Sequence, residues 1–216
     1  MANVKITALP ASAGLSATDV FPVDDISSVE TEKVTASQIR QYIGTGLNNA
    51  STAAVSAGYA SDTYLVGSAV TIPTAGGWRV GTIYRCGFDI TKTAAGTAAS
   101  TIIVRMGTTG TTADAAILTF NHGVGTANAD IGWYSLVATF RAVGAGTTAI
   151  LQGVLALHHD LASTGLTTSS IDGNYILPVT SAGFNSTTQT IIGISFNGGA
   201  SFSGTNTLVV ASAENI

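Results

Sequence analysis

The residues His158-His159-Asp160 form the one cluster of side-chain types that serve in catalysis or metal binding. Adjacent residues of a strand point to opposite faces of a sheet, so both imidazoles could reach one metal ion only if the chain bent there. The cluster also follows the apolar run 150–157, where polar residues are expected as a strand leaves the sheet. We therefore expect neither a metal site nor a catalytic site at this cluster.

Other signals of chemistry are missing from the sequence. It contains no nucleophile elbow, phosphate-binding loop or zinc-protease motif, and its acidic residues lack the spacing of a calcium loop. His122 stands between Asn121 and Gly123 and is interpreted as a turn residue. Cys86 alternates with apolar neighbours, which is typical of a small core residue, and a single cysteine excludes an internal disulfide. The sequence predicts no enzyme, no cofactor and no metal.

Four aromatic residues leave two interpretations open. Trp78, Trp133, Tyr134 and Tyr175 could form a platform for sugar rings, because aromatic faces stack on pyranoses. Aromatic residues make up only 7% of the chain, however, and core packing and subunit contacts would use most of them. We favour the packing interpretation.

Composition and charge exclude several classes of protein. Only 9% of the 216 residues are charged, against about 25% in ordinary domains. The hydrophobic content of 45% and net charge of −4 argue against disorder. No Lys or Arg follows Arg141, so nucleic acid is not an expected partner. The sequence has neither a long apolar run nor a signal peptide at its start, so we expect no membrane partner and a protein made in a cytoplasm.

Residues 61–216 show the two-residue period of β-strands. Turn-forming stretches rich in Gly, Thr and Asn separate about eight such runs, and nothing between them has a helical pattern. The sequence therefore predicts an all-β, antiparallel β-sandwich of the jelly-roll type. The expected strands cover residues 69–72, 84–90, 102–106, 116–120, 134–140, 149–157, 189–196 and 207–212.

Residues 1–45 differ from this body and are predicted to form a separate arm. They hold 8 of the 20 charged residues. Thr35-Ala36-Ser37-Gln38 fits a capping box, so one short helix should begin there and end at Gly44. Two short strands are expected before it, at 20–23 and 32–34, and residues 46–60 are interpreted as a linker of small residues. An arm this small must dock on a partner.

The outward positions of the body suggest assembly. They are mostly Thr, Ser, Ala and Gly, with few of the lysines that protect the sheet edges of monomeric proteins. Burial of these faces between subunits would supply that protection. We expect a homotrimer.

Six stretches of the chain follow patterns seen in one class of protein. In the arm they are Ile6-Thr7-Ala8-Leu9-Pro10, Asp19-Val20-Phe21-Pro22-Val23, and Lys33-Val34-Thr35-Ala36-Ser37-Gln38-Ile39 followed by Tyr42-Ile43. In the body they are residues 80–85, 92–99 and 104–114. The arm stretches resemble the N-terminal segment of many tailed-bacteriophage virion proteins, and the body stretches resemble β-rich phage structural domains. The resemblance implies an arm attached to the particle, a jelly-roll body, frequent trimers and no catalysis.

The function expected from these observations is structural. The first hypothesis is a capsid decoration or cement protein that stabilises the shell as a trimer. The alternative is a tail or head fibre component that attaches to the host and binds surface carbohydrate. A carbohydrate-active enzyme is disfavoured, because no paired acids are present. The expected location is the virion, assembled in the bacterial cytoplasm. The expected docking residues of the arm are Leu9, Val20, Phe21, Val34, Ile39, Tyr42 and Ile43.

Overall fold

The structure is a computed structural model, and the chain divides into two compact units, Met1–Thr45 and Gly46–Ile216. Side chains are described for the second unit, and the backbone alone for the first. The described residues are 20–24, 31–35, 47–53, 58–72, 75, 77–93, 95–160, 164–169 and 174–214.

The first unit contains an antiparallel pair of strands, β1 (Val20–Asp24) and β2 (Thr31–Thr35). The two short strands predicted for the arm are thus confirmed. Their register places Phe21 opposite Val34. The predicted helix after Thr35 lies outside the described residues.

The second unit is built from two antiparallel sheets, and its described residues contain no helix. Sheet I has the strand order β11-β10-β9-β6-β14-β3, with β13 also paired to β6. Sheet II has the order β4-β12-β7-β8, with β5 also paired to β12. The strands are β3 (Leu47–Ser51), β4 (Thr63–Tyr64), β5 (Val70–Thr71), β6 (Ile83–Lys92), β7 (Ala99–Gly107), β8 (Ala115–Val124), β9 (Asp130–Ala142), β10 (Ile150–His159), β11 (Asn174–Thr180), β12 (Ile191–Asn197), β13 (Gly204–Thr205) and β14 (Val209–Glu214).

The strand pairs of the second unit are nested. β3 pairs with β14, β4 and β5 with β12, β6 with β9, and β7 with β8, and successive pairs alternate between the two sheets. This nesting is the doubled Greek key of a jelly roll, so the predicted fold class is confirmed. The hairpin β10–β11 extends sheet I beyond this framework. Each of the eight strands predicted from the period of two coincides with a strand of the structure.

The core lies between the sheets and consists of the apolar residues of one strand phase. Phe88 of β6 stacks on Tyr134 of β9 with ring centroids 4.8 Å apart, and Trp78 stacks on Phe140 at 5.2 Å. All four side chains are buried: Phe88, Tyr134 and Phe140 as the alternation of their strands requires, and Trp78 from the loop between β5 and β6. Cys86 is buried in the same core, which confirms its interpretation as a small core residue.

The linker predicted for residues 46–60 does not hold throughout. Leu47–Ser51 forms β3, which pairs along its whole length with β14 at the edge of sheet I. Tyr59 is buried, with its ring 5.4 Å from that of Phe196. An edge strand is held by backbone hydrogen bonds to one neighbour, so it needs no apolar alternation that a sequence could display.

Candidate functional site

The histidines of the His158-His159-Asp160 cluster point to opposite faces, as expected. His158 is exposed on the outside of sheet I, where its Nδ1 lies 2.5 Å from the side-chain oxygen of Asn174. His159 is buried, and its Nδ1 lies 3.0 Å from Oδ2 of Asp130. The same Asp130 oxygen accepts the backbone N–H of Leu166 at 2.8 Å. The His159 and Asp130 side chains are inside the sandwich and are not open to a substrate.

His122 was predicted to be a turn residue, and that prediction is wrong. It lies in β8 with its side chain in the core, where its Nε2 is 3.3 Å from both the Ser100 and the Tyr134 hydroxyl oxygens. Burial lowers the pKa of His122 from 6.5 to about 4, and the charge of His159 adds to this shift. The neighbouring Asn and Gly suggested a turn, but the alternation of β8 carries His122 inward.

The interior also holds Lys92, the last residue of β6. Its Nζ donates to the backbone oxygens of Thr126 at 2.5 Å and Asn128 at 3.2 Å. Burial lowers the pKa of Lys92, and the charge of Asp130 opposes this effect. Burial also raises the pKa of the Cys86 thiol to about 12, which leaves it protonated and a poor nucleophile at neutral pH. Within the described ranges, no group of three or more His, Cys, Asp or Glu residues could hold a metal ion.

The four aromatic residues considered for a sugar platform do not form one. Trp78 and Tyr134 are buried in the core, and Tyr175 is partly buried against it. Trp133 alone of the four is exposed, with 39% of its surface accessible. The packing interpretation is therefore confirmed for Trp78 and Tyr134.

The outer face of sheet I carries Trp133 among further exposed apolar side chains. We call this surface the tryptophan face and define it by Ile131, Trp133, Val154, Ile176 and Val210. Ile176 is 68% exposed and Ile131 63%. The expectation that outward positions carry mostly small and hydroxyl residues is thus wrong for this face.

The strand register arranges this face in rows that cross the sheet. One row runs from Ile176 through Ala156, Ser135 and Gly87 to Val210. The next row places Val154 beside Val137 and Arg85. Five adjacent strands therefore contribute to one continuous surface.

Gly87 provides the seat of the tryptophan ring. A Cβ atom at Gly87 would lie 2.7 Å from Cζ2 of Trp133, so the indole lies directly on the glycine backbone of the neighbouring strand. Contact this close requires a residue without a side chain. The ring is consequently held flat on the sheet, with part of its surface open to solvent.

The outer face of sheet II carries hydroxyl and amide side chains beside the partly buried Ile103 and Ile191, together with one buried charge, Arg105. Arg105 of β7 pairs with Asp62, and its other nitrogens donate to Ser195 Oγ at 2.8 Å and to the backbone oxygen of Asp114 at 2.7 Å. Thr119 of β8 lies outward on the same face and is exposed. We call this surface the polar face.

The structure describes only part of the predicted docking set of the arm. Val20 and Phe21 lie in β1, and Val34 lies in β2. The other members, Leu9, Ile39, Tyr42 and Ile43, fall outside the described residues. The tryptophan face is a candidate surface that sequence reasoning missed. Its signal was present in β9, where the positions between the core residues include Ile131, Trp133 and Val137.

Comparisons with known proteins give little similarity. No family model matches the chain, and no curated protein is significantly similar to it. Among solved structures, particles derived from infectious bursal virus show 12% identity and a TM-score of 0.20, covering 97% of this chain and 48% of that chain. The infectious bursal disease virus Gx strain shows 12% identity and a TM-score of 0.21, covering 97% and 50%. This chain spans about half the length of either.

The described residues contain no helix that is long and apolar enough to cross a membrane.

Proposed function

We propose that this chain is a non-enzymatic structural protein of a tailed-phage virion, which decorates and cements the capsid as a homotrimer. The observation that carries the proposal is the division into two units, a small N-terminal one with the β1–β2 pair and a jelly-roll body. The resemblance of the arm to phage virion segments implies that the partner of the arm is the virion particle.

The β1–β2 pair supports a docking role for the arm. An isolated two-stranded hairpin is at best marginally stable in water, because it has no second layer to cover its apolar side chains. Phe21 and Val34, both in the predicted docking set, stand opposite each other in this pair. Such a pair gains stability when a partner surface covers it.

The body supports a role without catalysis. The buried His159 and Asp130 are enclosed in the sandwich, and the thiol of Cys86 is in the core. Neither could reach a substrate outside the molecule. A stable sandwich with an exposed apolar face is suited to making contacts in an assembly.

A tail or head fibre component that binds host carbohydrate is the second candidate. The exposed indole of Trp133 favours it, because one flat aromatic ring can stack on a sugar. The register places Trp133 between Asp89 and His158, however, and both of these are already hydrogen-bonded within the chain, whereas sugar sites combine a ring with several free polar groups. We place decoration first for this reason.

The test is a charge in the predicted docking stripe of the arm. Replacing Ile39→Asp should abolish binding of the full-length protein to particles, because the carboxylate would have to be buried in an apolar contact. Gln41→Asp is the matched control, since it adds the same charge off the stripe formed by Ile39, Tyr42 and Ile43. Co-sedimentation with particles that lack the protein measures both variants.

Two results separate the candidate functions. Particles without the protein should burst at lower temperature than wild-type particles if it cements the shell, and copies per particle should number in the hundreds. A few dozen copies, with bare particles that are robust but fail to adsorb to cells, would indicate the fibre role. Equal binding of Ile39→Asp and wild type would refute docking through this stripe.

A further inference from the structure

Exposed apolar side chains are concentrated on one surface of the body. Nine large hydrophobic residues are exposed in the part of the chain whose side chains are described, and five of them define the tryptophan face. The polar face of sheet II has none at its centre. Contiguous exposed apolar surface of this kind marks an interaction site rather than a chance distribution.

The size of the surface fits a stable protein interface. Five strands at a spacing of about 4.8 Å give a width of about 24 Å, and the eight steps from Ile131 to Thr139 give a length of about 27 Å. The flat footprint is therefore about 650 Å², and protruding side chains increase the accessible area beyond that. A specific interface takes about 800 Å² from each partner.

The charges on this surface favour a second copy of the same chain. Arg85 and Arg141 lie on it together with Asp89 and Glu214, so the two signs balance. The Asp89 carboxylate already accepts the backbone N–H groups of Thr207 and Leu208, and Arg141 donates to Gln152. A strongly charged partner would find little to pair with, whereas another copy of the chain presents the same balanced charges and the same exposed apolar residues.

We propose that copies of this chain hold one another through the tryptophan face, with Trp133 as the central anchor. This inference rests on the homotrimer of the proposed function and assigns the surface that lines its three-fold axis, where each copy uses a different part of the face toward each of its two neighbours. Tryptophan is enriched among the few residues that supply most of the energy of an interface. Trp133 is suited to this role because Gly87 holds its ring in place before binding.

The test compares arginine substitutions on the two outer faces of the full-length protein. Val154→Arg places a charge at the centre of the tryptophan face, and Thr119→Arg places the same charge on the polar face. Sedimentation equilibrium should show a trimer for the wild type and for Thr119→Arg. Val154→Arg should raise the dissociation constant of the trimer by about 30-fold or more. Trp133→Ala should do the same, and circular dichroism at low concentration confirms folding.

Each other outcome has a defined meaning. A wild type that stays monomeric at micromolar concentration overturns the inference, and stacking of sugar on Trp133 then becomes the use of the face. A trimer that survives both Val154→Arg and Trp133→Ala overturns the assignment of the tryptophan face as the interface, although the trimer itself is then real. If Val154→Arg fails to fold, Ile176→Arg at the exposed edge strand replaces it.

The same variants separate this inference from the proposed function. The Ile39→Asp variant should remain a trimer but should no longer bind to particles. Val154→Arg should dissociate and keep an intact arm, so that residual particle binding depends on Ile39. Loss of one property without the other therefore shows which proposal has failed.

Discussion

The outer faces of the two sheets are made by the same kind of alternating strand, yet they differ in the side chains that they expose to solvent. Sheet II presents hydroxyl and amide side chains beside the partly buried Ile103 and Ile191, and its buried charge, Arg105, is paired within the chain. Sheet I presents Trp133, Ile176 and other apolar side chains that nothing in the described body covers. The difference indicates that sheet II is complete in one copy of the chain, whereas sheet I is suited to completion by an assembly.

The close approaches on each face show the same contrast. On sheet II, a Cβ atom at Gly193 would collide with the hydroxyl of Tyr64, whose side chain reaches across from the neighbouring strand β4. On sheet I, the nearest atoms to a Cβ atom at Gly87 would be those of the exposed ring of Trp133. Glycine thus makes room for a buried tyrosine hydroxyl on one face and for an open aromatic ring on the other.

The largest expected effect on the free energy of unfolding comes from one of two arginines that lie on opposite outer faces. Arg105→Leu should lower the free energy of unfolding by about 3 kcal/mol, because it leaves Asp62, Ser195 and the Asp114 carbonyl without their donor. This figure is at the low end for a buried pair, since the Asp62 side chain is 27% exposed. Denaturant unfolding at low protein concentration measures the change.

Arg85→Leu is the matched control on the tryptophan face. Arg85 is exposed, so its loss should change the free energy of unfolding by less than about 0.5 kcal/mol. If both substitutions cost the same, the distinction between a self-satisfied face and an open face would be lost.

Much of the fold followed from alternation, and the errors have physical causes. Tyr84, Cys86 and Phe88 alternate with polar residues, so their strand and its inward side were predictable. β3 was missed because Leu47–Ser51 is held by backbone pairing at a sheet edge and has little apolar content. β11 was missed as well, because Pro178 interrupts its apolar run. A proline is tolerated in a strand only at the edge of a sheet, and the sequence does not show that β11 lies at an edge.

The candidate face was harder to predict than the fold. In β9, apolar residues occupy both strand phases, with Tyr134 and Leu136 inward and Trp133 and Val137 outward. Sequence alternation shows that two sides exist, but it does not show which strands lie next to each other. Only the register brings Trp133 onto Gly87 and aligns Val154 with Val137.

An effect of intermediate size on stability should come from acidification, through His122 in the core between the two sheets. The pKa of His122 is about 4 in the folded chain, whereas the ordinary pKa of an exposed histidine is 6.5. The unfolded chain therefore binds more protons between these values, so the free energy of unfolding falls as pH falls from about 6.5 to about 4. Between pH 7 and pH 5 the loss should be about 2 kcal/mol.

The pH effect can be assigned by comparing two histidines. Tyr134 and His159 are the titratable groups that face His122 from β9 and β10. His122→Gln should flatten the dependence of thermal stability on pH, while His158→Gln, at an exposed position, should leave it unchanged. A slope that persists in His122→Gln would assign the acid sensitivity to another group.

A substitution with a small expected change in stability gives the most specific test of the tryptophan face. Gly87→Ala should alter the free energy of unfolding by less than about 1 kcal/mol, because alanine is favoured over glycine in a strand and the ring it meets can swing into solvent. The displaced ring would no longer present the same surface, so the trimer should dissociate at higher concentration than the wild type. Thermal melting and sedimentation equilibrium measure the two effects separately.

A double substitution completes this argument. If Gly87 acts by seating the indole, Gly87→Ala should have no further effect on association once Trp133→Ala has removed the ring. Additive losses would mean that the strand itself, rather than the seated ring, makes the contact. In the same assays Gly193→Ala should lower the stability of the folded chain without a specific effect on association, since the collision with Tyr64 lies within a face already covered by the chain's own residues.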